Sequence, residues 1–245
     1  MQAPSARNAG ARNRKENKTK SPGTVTRYMA SLSHALTIAV REWEWLENNP
    51  MHKVKRPAHP KPRLRFLDDD ERRQLLEACR NSPCPYLYPV VVIALSTGAR
   101  YSEVMNLRWT DIDLERGIAR LEHTKNRDRR ALPLTHHALE VVQHLHDHEK
   151  RADTDLLFPR EDGLAPIEIR KHWNRALKEA GIEDFRFHDL RHTAASYLAM
   201  NGATLAEIAA VLGHRTLQMV QRYAHLSDQH TASVVERMNR SIFTE

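Results

Sequence analysis

The densest group of chemistry-bearing side chains in this 245-residue sequence is His188-Asp189-Leu190-Arg191-His192. Within FRFHDLRHTAASYLAMNG, a helical pitch of about 100° per residue puts Leu190, Ala194, Tyr197 and Leu198 on one face. His188, Arg191 and His192 then fall on the opposite face. A guanidinium stays charged and grips two oxygens of a phosphate or carboxylate at once. An imidazole beside it exchanges protons near neutral pH. The plain alternative is a solvated helix face, because the chain has 15 histidines.

Three other segments carry similar potential. In ALSTGARYSEV, Arg100 follows an apolar helix and a glycine stop, where a charge held near the interior needs an anion. Glu103 is its candidate partner, and a purely structural Arg100–Glu103 pair explains the segment equally well. In HTKNRDRRALPL, Lys125 lies at the lip of a turn, where it could reach a ligand or simply face water. In LGHRTLQMVQRYAHL, His214 follows a glycine at a helix end and Tyr223 closes the next short helix, flanked by Arg222 and His225. Tyr223 lies three residues after Val220, so its spacing fits a core aromatic as well as a nucleophile.

Taken in chain order, Arg100, Lys125, His188, Arg191, His214 and Tyr223 resemble the catalytic set of the tyrosine recombinase (phage integrase) family. The T-G-x-R box, the hairpin lysine, the H-x-L-R-H-T box, the L-G-H box and the R-Y-x-H tyrosine all have matches between about residues 64 and 240. Either arginine box alone would be weak; six positions in order are specific. The resemblance implies double-stranded DNA as substrate and cleavage through a 3′-phosphotyrosyl intermediate that conserves bond energy, so that neither ATP nor metal is required.

On this reading Arg100 and Arg191 bind the phosphate, with His214 donating a third hydrogen bond. Preorganised donors of this kind are each worth about 3 kcal/mol in rate. A phenol of pKa about 10 is only about one-thousandth ionised at neutral pH, so Tyr223 needs a base, and His188 is the candidate. Lys125 would protonate the departing 5′-oxygen. Glu103 and His192 would support these groups from behind.

Positioning such a set requires a mainly α domain with a small antiparallel β-sheet (α+β), similar to the catalytic domain of that family. It is expected over residues 67–245. A capping box at Asp68 and Glu71 starts its first helix, Tyr86 to Ser96 is a buried helix stopped by Thr97-Gly98, and Ile112 to Leu134 forms the sheet. Helices follow at 135–148, 166–180, 188–201, 204–212, 216–223 and 228–240, with a second capping box at Thr204 and Glu207.

The apolar spacing from Thr24 to Asn49 predicts one or two helices, which resemble the end of the family's helical core-binding domain. The resemblance implies several more helices ahead of them; a basic tail stands there instead, so that half of the DNA clamp is expected to be shortened. The net charge is +7, and it is concentrated. Residues 1–23, expected to be disordered, carry +5, and the Pro-rich linker 51–66 carries +6, leaving −4 for the remainder. Lys53, Lys55, Arg56, Lys61, Arg63 and Arg65 are therefore the candidate DNA-backbone contacts, although such runs are as often merely solvated.

Neither cysteine, Cys79 or Cys84, has metal-type spacing to a second pair, and His144, His146 and His148 lack an accompanying HExxH. No membrane-length apolar run and no secretory leader are present, so a cytoplasmic, nucleoid-associated protein is expected. The resemblance further implies self-assembly into a tetramer on DNA from a free monomer, with accessory DNA-bending proteins as candidate partners. The alternatives are a type IB topoisomerase-like relaxing enzyme and an integrase remnant that only binds DNA.

Overall fold

In a computed structural model that describes residues 19–58, 63–121, 130–149 and 153–243, the chain divides into two compact units, residues 1–63 and 64–245. The first unit is built on helix α1 (Pro22–Arg41), which begins with the Ser21 side chain accepting from the Thr24 amide and a proline in the first turn. That start lies two residues earlier than the apolar spacing predicts, and the helix also stops earlier, at Arg41. The reason lies in residues 42–49. Trp43 and Trp45 pack on each other with ring centroids 4.5 Å apart instead of continuing a stripe. The buried Asn49 amide hooks back to α1, donating to the Ser33 carbonyl at 2.8 Å and the Thr37 hydroxyl at 2.9 Å. A 3₁₀ turn, Pro50–Lys53, follows.

The second unit is organised around α3 (Leu87–Thr97), in which Pro89 to Ala94 are all buried. A helix apolar on every side has to be surrounded. Helices α2 (Asp69–Arg80), α5 (His137–His148) and α7 (Asp189–Met200) pack against it. The Asp68–Glu71 capping box opens α2, and the Thr204–Glu207 box opens α8 (Leu205–Leu212). Gly98 ends α3 and Gly213 ends α8, both in the left-handed conformation. Between α4 (Tyr101–Met105) and α5 lies a three-stranded antiparallel sheet in the order β1-β2-β3, formed by β1 (Ile112–Asp113), β2 (Ile118–Leu121) and β3 (Arg130–Pro133). Ala119 pairs with Leu132 and Leu121 with Arg130. Cys79 and Cys84 are free thiols in the core.

Three sequence expectations need correcting. Helix α6 (Arg170–Glu179) starts four residues after the predicted 166, because Pro166 bridges Pro159 and Ile167 donates to the Phe158 carbonyl, which holds that stretch extended. Residues 216–223 are not an α-helix but part of two 3₁₀ segments, Leu217–Met219 and Gln221–Ser227. A period of three aligns Val220 with Tyr223, and both are buried. Finally, the polar face of α7 is not the solvated one that the plain alternative assumes. Arg191, Thr193, Ala195 and Ser196 are as buried as Leu190, because α3 covers one side while α8 and the second 3₁₀ segment cover the other. Helix α9 (Asp228–Phe243) closes the described chain.

Candidate active site

The two glycine stops bring the arginine boxes together. After Gly98 turns the chain out of α3, Arg100 caps α4; its backbone amide donates to Glu103 Oε2 at 2.9 Å and its Nη1 to Glu103 Oε1 at 2.6 Å. Arg191 reaches from α7 between both turns. Its Nη1 donates to the Gly98 carbonyl at 2.7 Å and its Nη2 to the Leu212 carbonyl at 2.6 Å. The C-terminal carbonyls of two helices, α3 and α8, thus hold a guanidinium that is 3% exposed. Burial and the nearby Arg100 and Arg130 lower its pKa to about 10, so it remains charged at neutral pH.

Glu103 also accepts from Arg130 Nη2 at 3.0 Å. Burial acts to raise the Glu103 carboxyl, but the Arg100 amide and the two arginine charges outweigh it and hold it below the usual range. Arg130 was not picked out from the sequence. The signal was available in β3: alternation places Arg130 on the same face as Leu132, and that face is buried.

Tyr223 is 1% exposed, packed among Ala195, Ile208 and Leu212. Its hydroxyl lies 2.5 Å from Nδ1 of His192, while His188 stands edge-on to His192 with ring centroids 5.3 Å apart. The partner of the phenol is therefore His192 and not His188, on which the sequence placed the base. Burial lowers the His192 pKa to about 4, with the His188 ring adding to the effect. The ring is neutral at physiological pH, and its Nδ1 shares one hydrogen bond with the phenol. Burial also raises the Tyr223 pKa, against the opposing charges of Arg222 and Arg191. His214, beside Gly213, is likewise lowered to about 4, by burial first and by Arg191 and Arg100 next; its Nδ1 is buried without a hydrogen-bond partner among the described residues.

Of the remaining candidates, Lys125 and Lys61 lie outside the described residues. Lys53, Lys55 and Arg56 are exposed. Arg65 is committed elsewhere: it donates to Glu71 at 2.7 Å and lies 5.3 Å from the Phe185 ring centroid, which anchors the strand-like entry to α2. His144 and His148 stack on each other, ring centroids 4.4 Å apart, on an exposed face of α5.

Two guanidiniums sharing one carboxylate, a third held by two helix ends, two neutral imidazoles and a phenol form a site built for an anionic ester and for proton transfer to or from an oxygen. Comparisons with known proteins identify the class. A family profile described as "Phage integrase family" matches residues 65–230. The integrase of Salmonella phage P22 is 34% identical over 231 residues, covering 90% of this chain and 58% of the relative. The shufflon-specific DNA recombinase of Escherichia coli is 33% identical, covering 89% of this chain and 54% of the relative. Among solved structures, the catalytic domain of bacteriophage HP1 integrase is 30% identical with a TM-score of 0.56, covering 73% of this chain and 98% of that one. The Tn1549 transposon integrase, solved with circular intermediate DNA, superimposes with a TM-score of 0.70 over 88% of this chain and 79% of that one, at 19% identity, and shares the fold. This chain belongs to the phage integrase family. It spans a little over half the length of the curated relatives named above.

Proposed function

We propose that the chain is a site-specific recombinase of a mobile element, cleaving and rejoining double-stranded DNA through Tyr223. The observation that carries this is the Tyr223 hydroxyl hydrogen-bonded to a neutral imidazole beside a cluster of guanidiniums. Arg100, Arg191 and His214 bind the scissile phosphate, and the L-G-H turn presents His214. With the phenol raised and His192 near pKa 4, the proton does not leave Tyr223 in the resting state. It moves to His192 only as the tyrosyl oxygen bonds to phosphorus, and His188 supports the imidazolium. The P–O5′ bond breaks, Lys125 protonates the leaving oxygen, and a 3′-phosphotyrosine remains. Attack by a 5′-hydroxyl of another strand reverses the step.

Burial of Tyr223 further implies that the Gln221–Ser227 segment shifts when DNA binds. The exposed linker cations Lys53, Lys55 and Arg56 suit backbone contact, and we place the protein on the nucleoid in the cytoplasm. No described helix is long and apolar enough to cross a membrane.

The test is a pool of supercoiled plasmids with randomised inserts, scored for recombinant junctions and for relaxation. Recombinant junctions clustering on one motif are expected. Relaxed circles without junctions would favour a type IB topoisomerase-like enzyme, and binding without either product would leave a DNA-binding remnant.

A further inference from the structure

The buried face of β3 brings into the site a charge that the reading above does not use. The Arg130 side chain is 10% exposed. Its Nη2 meets Glu103, while Nε and Nη1 are buried with no hydrogen-bond partner among the described residues. Its Cδ and Nη1 press against the L-G-H turn so closely that a Cβ on Gly213 would lie 2.7 Å from each. Buried charged donors that find no partner cost stability, so the fold keeps this cation here at the expense of stability. Burial lowers its pKa, and Arg100 adds to that while Glu103 opposes it.

The consequence lies in how Glu103 is divided. Oε1 faces the Arg100 guanidinium and Oε2 the Arg130 guanidinium, in a pocket where the Glu103 side chain is 8% exposed and screening by water is weak. A Glu103 paired with Arg100 alone would nearly cancel the charge meant for phosphate. We infer that Arg130 is a positioning residue for DNA cleavage: by sharing Glu103 it leaves Arg100 a net positive charge for the phosphate, and by packing on Gly213 it sets the turn that presents His214. This inference rests on the recombinase reading for its role, but its electrostatic part can be measured without DNA.

The experiment compares Arg130→Met, Glu103→Gln and the double variant with wild type. Two readouts are used: the NMR titration of His214 in the free protein, and the single-turnover cleavage rate at saturating enzyme on a nicked suicide substrate. Arg130→Met should raise the depressed His214 pKa and slow cleavage about tenfold or more with little loss of DNA affinity. Adding Glu103→Gln should return at least about a fivefold part of that loss, since contacting charges couple on this scale. Independent losses that simply multiply, or an unmoved His214 titration, would overturn the inference. If wild type forms no covalent product, the recombinase reading fails while the titration still decides the charge sharing. Should Arg130→Met not fold by thermal melting, Arg130→Gln, which keeps a donor toward Glu103, carries the same comparison.

Discussion

His192 holds the hydroxyl of the buried Tyr223 at 2.5 Å. Neighbouring positions in the H-x-L-R-H-T box therefore do different work: Arg191 staples two helix ends, and the next residue addresses the phenol. Loss of a proton acceptor in the transition state costs about 10²–10⁴ in rate. His192→Gln is expected to slow covalent-complex formation at least about a hundredfold, with DNA affinity within about twofold. A rate near wild type, combined with a large loss in His188→Gln, would return the base role to His188.

The histidines also set an acid limit. His192 and His214 titrate near 4 in the folded protein, against an ordinary value of 6.5. The groups acting on His192 are His188, Asp189, Arg222 and Arg191, with Tyr223 bonded to it. Between those two pH values the unfolded chain binds more protons than the folded one, so stability rises with pH there. The melting temperature should be flat above about pH 6.5 and fall progressively toward pH 4. His192→Gln, which does not titrate, should make that fall shallower. A melting temperature that rises on acidification would contradict the burial of these rings.

Gly98 is a mechanical joint as well as a helix stop. Its φ is +61°, and a Cβ there would lie 2.5 Å from Leu212 Cδ2, in the residue whose carbonyl holds Arg191. Gly98→Ala should cost about 2 kcal/mol from the backbone conformation alone, and so at least about 4 °C in melting temperature. It should also displace Arg191, slowing cleavage more than the lost stability explains. Calorimetry alongside cleavage rates at a temperature where the variant is fully folded separates the two effects.

Punctuation was the most legible part of the sequence. The capping boxes at Asp68 and Thr204 and the stops at Gly98 and Gly213 act locally through single side chains or a single φ, and they appear where read. Faces were less legible where a helix is wrapped on both sides. Arg191 looked like part of a polar face, yet its charge is buried because two helix C-termini receive it. The Val220–Tyr223 spacing fits both a 3.6 and a 3.0 period, and burial of both residues selected the tighter turn. Arg130 escapes because only Lys125 is weighed in HTKNRDRRALPL, and the face that alternation gives Arg130 at the start of β3 is not. Which imidazole meets Tyr223 depends on a contact 31 residues apart in sequence, which no local pattern specifies.

Val234, Val235, Met238, Ile242 and Phe243 of α9 are 42–78% exposed. As part of the proposed function, we propose that this exposed stripe docks into a neighbouring protomer, head to tail, around a closed ring on DNA. Deleting residues 228–245 is expected to leave a monomer that still makes single cleavages on a nicked substrate and no longer exchanges strands. Sizing of DNA complexes by light scattering checks this: a deletion variant that forms the same multimer and recombines would mean that α9 acts on its own domain.

Under the proposed function Tyr223 becomes covalently joined to DNA. The direct measurement is mass spectrometry of the peptide cross-linked to a nicked suicide substrate, with Tyr223→Phe alongside. A 3′-phosphate ester on Tyr223 is expected, and in the phenylalanine variant no adduct with DNA affinity within about twofold of wild type. An adduct on another residue, such as Tyr101 or Tyr197, or undiminished adduct in Tyr223→Phe, would contradict it.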